Sequence, residues 1–96
     1  MRHLLTHLAG WKVSPSHKMI YLELRMRDFS AAVELIKRIA VLAEKEDHHP
    51  DLHLTGYRQL RVELATHAID GLSRNDFILA AKINQLPKKL KVEILK

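Results

Sequence analysis

The sequence predicts an α+β domain, a four-stranded antiparallel sheet with helices packed on one face, in the order α-β-β-α-β-β-α. Three observations carry this. Met19 to Arg27 alternates apolar and polar residues, the stretch after Asp28 repeats its apolar residues at helical spacing, and two further alternating segments precede a final capped helix.

A short amphipathic segment, Arg2 to Ala9, reads as a first helix stopped by Gly10, a usual helix C-terminal residue. Trp11 to Val13 begins a first strand, and Ser14-Pro15-Ser16 supplies a turn. The second strand sets Ile20, Leu22, Leu24 and Met26 on one face, with Tyr21, Glu23, Arg25 and Arg27 on the other. Asp28 caps a long helix whose stripe contains Phe29, Val33, Ile36, Ala40 and Ala43, widened by Leu35, Ile39 and Leu42. That helix runs to Glu46 or Asp47, ahead of Pro50. Leu52 to Tyr57 and Leu60 to Thr66 form a hairpin that turns near Tyr57-Arg58-Gln59. Ser73-Arg74-Asn75-Asp76 has the form of a capping box for a last helix, Arg74 to Leu86, that ends at Pro87. Residues 1–87 make the domain and 88–96 a Lys-rich tail. Leu90, Val92 and Ile94 alternate in that tail, which fits either a short edge strand or a frayed end.

Ninety-six residues give room for one core and no second domain. With 47% hydrophobic and 28% charged residues the chain has a globular balance, not a disordered one. It contains no cysteine, which excludes disulfides, thiol nucleophiles, thiolate zinc sites and iron–sulfur clusters. No apolar run is long enough to span a bilayer, and the N-terminus lacks the form of a secretory signal, so a cytoplasmic protein is expected. The net charge of +5 is not arranged for nucleic acid. Lys88, Lys89, Lys91 and Lys96 crowd the tail, and five aromatic residues make no stacking stripe.

The histidines carry more information. His48 and His49 follow the long helix, and His67 follows the fourth strand. Imidazole is the side chain that both gives and takes a proton near neutrality, so two or three facing one cleft suit acid/base chemistry. Glu44 stands four residues before His48, the spacing at which a helical carboxylate can hold that ring. Asp47, beside it, is placed to hold a ring or to accept a substrate N–H. The competing readings are histidines that only cap helix carbonyls and a metal site built from His49 and His53 with His48 or His67. There is no His-Glu-x-x-His, and Pro50 separates His49 from His53, so no metal is expected. The scattered Gly10, Gly56 and Gly71 form no phosphate cradle.

Glu44-x3-His48-His49-Pro50, then six residues to Tyr57, nine to His67 and eight to Asp76, resembles the signature of the pterin-4a-carbinolamine dehydratase family. Gly10-Trp11, Met26-Arg27-Asp28-Phe29, Leu42-Ala43-Glu44-Lys45 and Gly71-Leu72-Ser73 are similar to that family too, so the resemblance covers residues 4 to 86. It implies dehydration of 4a-hydroxytetrahydropterin to quinonoid dihydropterin, which recycles the pterin cofactor of aromatic amino acid hydroxylases. It also implies no cofactor, the pterin being the substrate. By resemblance His48 and His67 are the acid/base pair, with the direction of each proton left open, and His49 holds the pterin and stabilises charge. Glu44 and Asp47 orient the histidines, while Pro50, Thr66, Ala68 and Ile69 line the pterin. Asp76 closes the signature and also reads as a helix-capping acid. The family assembles through sheet edges and helix faces, which implies a homodimer or homotetramer, with Met19–Arg27 or the hairpin strands as the edges to be covered. Animal relatives also act as coactivators, so the alternative is a non-catalytic pterin-binding or protein-interaction module.

Overall fold

The computed structural model describes residues 8–87 and 91–95. The first helix expected over Arg2–Ala9 falls chiefly on residues 1–7, outside the described residues. Within them the order is β1 (Lys12–Val13), β2 (Ile20–Met26), α1 (Phe29–Glu46), β3 (Asp51–Thr55), β4 (Gln59–Leu64), α2 (Arg74–Asn84) and β5 (Lys91–Ile94). The strands form one antiparallel sheet in the order β1-β2-β4-β3, with β5 also paired to β2.

The period-two pattern decides which face is buried. Ile20, Leu22, Leu24 and Met26 of β2 and Leu60, Val62 and Leu64 of β4 are buried, together with Leu35 and Ile39 of α1 and Leu79 and Ile83 of α2. Each such side chain contributes about 1.5–3 kcal/mol by leaving water. Trp11 joins this core at 4% exposure and donates from Nε1 to Asn84 Oδ1 at 2.9 Å, which ties the entry of β1 to α2. Asp28 caps α1 by accepting from the Ala31 N–H at 2.7 Å. That hydrogen bond, helped by Arg27, holds the Asp28 carboxyl below the usual carboxylate range.

The opposite face carries charge. Arg61 lies 4.1 Å over the Tyr21 ring and binds Glu63 at 2.6 Å and Glu23 at 3.4 Å. Desolvation pushes the Glu63 carboxyl up, but the hydrogen bonds and charge of Arg61 and His53 together outweigh it and hold the group low. His53 belongs to this cluster, with Nε2 3.1 Å from Glu63.

Two expectations change. The sheet has five strands, because residues 91–94 of the tail pair with β2 through Leu24↔Ile94, Arg25↔Glu93 and Met26↔Lys91. The Leu95 N–H extends the ladder to the Glu23 carbonyl at 2.8 Å. The segment Met19–Arg27 is therefore no open edge. β2 has β4 on one side, while β1 and β5 share the other, each covering one end of it. Of the hairpin strands, β3 is paired only through β4 among the described residues.

Gly10 fixes how close the tail comes. It has φ +88°, and a Cβ there would lie 2.6 Å from Ile94 Cγ2 and 2.9 Å from Leu22 Cδ1. Gly10→Ala adds a left-handed backbone penalty to that overlap, and a loss of about 1–3 kcal/mol in chemical denaturation is expected. Amide exchange should locate the damage, with the Leu95 N–H losing more protection than the ladder between β2 and β4.

Candidate active site

The site forms where α1 ends. Asp47 occupies the left-handed region, φ 51° and ψ 43°, and its N–H returns to the Ala43 and Glu44 carbonyls. The His48 N–H donates to the Ala43 carbonyl at 3.1 Å, so the chain turns sharply out of the helix before the His-His pair. Pro50, half-buried, then leads into β3.

This turn reassigns the partners expected from spacing. Glu44 does not hold His48. The separation of four residues aligns two side chains only while the helix continues, and the helix has ended at Glu46. Glu44 instead meets Nε2 of His49, and both side chains are well exposed, at 76% and 58%. Asp47 is exposed and serves through its backbone as the helix cap.

His48 is directed inward, its side chain 13% exposed, with Nε2 2.5 Å from Oδ1 of Asp76. Asp76 is fully buried. Its other oxygen, Oδ2, accepts from the Ser73 N–H at 2.9 Å and from Thr66 Oγ1 at 2.8 Å. The capping box read from Ser73 and Asp76 is present, and the same carboxylate reaches His48 across 28 residues. A carboxylate only accepts, so Nε2 of His48 is the donor of the bond to Asp76. Lys82 of α2 binds Glu46 at 2.6 Å and holds the end of α1 against the helix that Asp76 begins.

His67 opens a single 3₁₀ turn, His67–Ile69, for which Thr66 is the N-cap residue and Asp70 the left-handed exit. Thr66 and Gly71 pair through a bridge, with Thr66 N–H to Gly71 O at 2.7 Å, which closes the loop at its base. His67, Ala68 and Ile69 are exposed. Lys18 binds Asp70 at 2.7 Å and holds its carboxyl below the usual range, with a smaller contribution from His67. The loop is thus tied on one side to the turn between β1 and β2 and on the other to Asp76.

The structure therefore gathers His48, Asp76 and Thr66 through direct hydrogen bonds, with His67 next to Thr66 and His49 next to His48. It does not gather His53, which belongs with Arg61 and Glu63 to the charged face of the sheet. Among the described residues no group of three His, Asp or Glu is arranged to hold a metal ion. Ser73 is the member that sequence reasoning took only as a helix cap. Its hydroxyl lies 2.6 Å from Thr66 Oγ1, and the capping box was the one available signal.

Removing the buried acceptor strands three donors at once. Asp76→Ala is expected to lower stability by about 3 kcal/mol or more in urea denaturation.

The chain is similar to known proteins in sequence and in fold. Residues 1–86 match the family model described as pterin 4 alpha carbinolamine dehydratase. A mitochondrial pterin-4-alpha-carbinolamine dehydratase 2 of Arabidopsis thaliana is 46% identical over 85 residues, 86% of this chain and 46% of that protein. A protein of Halorhodospira halophila that carries the family's name is 42% identical over 83 residues, covering 86% of this chain and 75% of its own length. The chain therefore spans less than half of the plant relative and three quarters of the bacterial one. The crystal structure of a transcriptional coactivator/pterin dehydratase from Brucella melitensis superposes with a TM-score of 0.82 at 34% identity, covering 88% of each chain. With residues 1–86 of 96 matched to the family model and this fold shared, the chain belongs to the pterin-4a-carbinolamine dehydratase family.

Proposed function

We propose that this chain is a hydro-lyase that removes water from 4a-hydroxytetrahydropterin, and that histidine side chains move the protons. The observation that carries this reading is the buried Asp76 carboxylate holding His48, with a second imidazole, His67, one residue beyond a hydroxyl on the same carboxylate.

The chemistry asks for little more. The C4a–O bond breaks and the hydroxyl leaves as water with a proton from one imidazole. N5–H gives its proton to a base, and the freed electron pair forms the C4a=N5 bond of quinonoid dihydropterin. One group that donates and one that accepts are sufficient, and imidazole does both near neutral pH. His48 and His67 take these two roles. His49, exposed and paired with Glu44, holds the pterin and stabilises charge, and Pro50, Ala68 and Ile69 supply its walls. The reaction so written uses no metal and no organic cofactor, and it recycles a pterin oxidised elsewhere.

Among the described residues β3 has a strand on one side only, which supports a homodimer or homotetramer built by sheet pairing. A cytoplasmic location is proposed with the bacterial relatives in mind, since related plant proteins are named as mitochondrial and chloroplastic. No helix among the described residues is long and apolar enough to cross a membrane. The double name of the Brucella melitensis protein favours one second reading, a module that binds protein or pterin without catalysis.

An assay on chemically generated 4a-hydroxytetrahydropterin separates the two. Wild type is expected to accelerate dehydration over the uncatalysed rate, and His48→Ala and His67→Ala are each expected to lose roughly a hundredfold. A wild type that binds pterin without accelerating its dehydration would instead establish the non-catalytic module.

A further inference from the structure

Thr66 stands where a short helical turn begins, the position at which threonine usually caps its own turn with its side chain. Here it makes no such cap. Its single hydroxyl proton goes to Asp76 Oδ2 at 2.8 Å, so the contact with Ser73 at 2.6 Å must be donated by Ser73. The hydroxyls thus form an ordered chain, Ser73 to Thr66 to Asp76, and the other oxygen of Asp76 meets His48 Nε2. The backbone of Thr66 is held separately by the Gly71 bridge.

We infer that Thr66 is a positioning residue, whose hydroxyl sets the Asp76 carboxylate toward His48 and registers the His67 turn against it, instead of touching the pterin. Two physical facts support this. A carboxylate with one oxygen fixed by two donors cannot rotate about its Cβ–Cγ bond without breaking both bonds, so the direction of the other oxygen is set for the imidazole. The residue that supplies one of those donors also precedes His67, so a displacement of the turn is felt at His48. Small misplacements of this kind are costly in rate, because proton transfer requires groups within hydrogen-bond reach.

This inference rests on the dehydratase reading for its kinetic consequences, but not for its structural one. The test uses the full chain with Thr66→Val, which keeps the shape and loses the hydroxyl, and Thr66→Ser, which keeps the hydroxyl. Two readouts are taken, steady-state dehydration kinetics and the ring ¹⁵N signals of His48 in histidine-labelled protein. Thr66→Val is expected to lower kcat roughly tenfold with KM within about twofold, and to move the His48 ring signals away from their wild-type positions. Thr66→Ser is expected to restore kcat to within about twofold of wild type together with the wild-type ring signals.

Unchanged kcat and unchanged ring signals in Thr66→Val would overturn the inference, even if its melting temperature fell. A raised KM with kcat unchanged would also overturn it, by assigning Thr66 to the pterin wall. So would a serine variant that fails to rescue. If Thr66→Val does not fold, Thr66→Ala carries the same expectations without branched bulk. If wild type shows no dehydration, the reaction reading fails alone, and the His48 ring signals still decide the role of Thr66.

Discussion

One carboxylate organises the functional end of this molecule. Asp76 is fully buried, and burial of an ionisable group is tolerated only when donors surround it. Here the donors come from three parts of the chain: the Ser73 N–H at the start of α2, the Thr66 hydroxyl before the 3₁₀ turn, and His48 beyond the end of α1. The same bonds that make burial acceptable bring an imidazole to a defined orientation. Fold stability and site geometry therefore both draw on one group.

The scaffold around it is conventional in its physics. Alternating strands give the sheet one apolar face, the helices cover that face, and charged residues held by Arg61 occupy the other. The outer edge of β2 is shared by β1 and β5, so the strand at the centre of the core has partners on both sides. The Lys18–Asp70 and Lys82–Glu46 pairs are partly exposed and individually weak in water. Their positions matter more than their strength, since each joins an element bearing a site residue to the body of the fold.

Much of this was legible in the residues, for local reasons. The alternation of Ile20 to Met26, the Asp28 cap and the Ser73–Asp76 box are short-range patterns, and each appears where the pattern puts it. The tail left two possibilities open because alternation of Leu90, Val92 and Ile94 says nothing of which strand will receive it. The partner of His48 was misread for a different reason. Helical spacing from Glu44 holds only while the helix lasts, and the left-handed Asp47 ends it before His48. Asp76 was legible as a cap, but its bond to His48 joins residues 28 apart and depends on how α1 meets α2, which no local pattern encodes. Thr66 follows the same rule, since a threonine before a turn reads as a cap until its hydroxyl is seen to face elsewhere.

In the proposed reaction the Asp76 carboxylate orients His48 for proton transfer. Asp76→Asn tests it most directly, because the amide oxygen still accepts from Thr66 and Ser73 while the amide nitrogen replaces the oxygen that faces Nε2. The decisive measurement is the dehydration rate of this variant beside wild type, both confirmed as folded by circular dichroism and thermal melting. A folded variant whose rate falls by roughly tenfold or more is expected. A folded Asp76→Asn variant that dehydrates 4a-hydroxytetrahydropterin at the wild-type rate would contradict it.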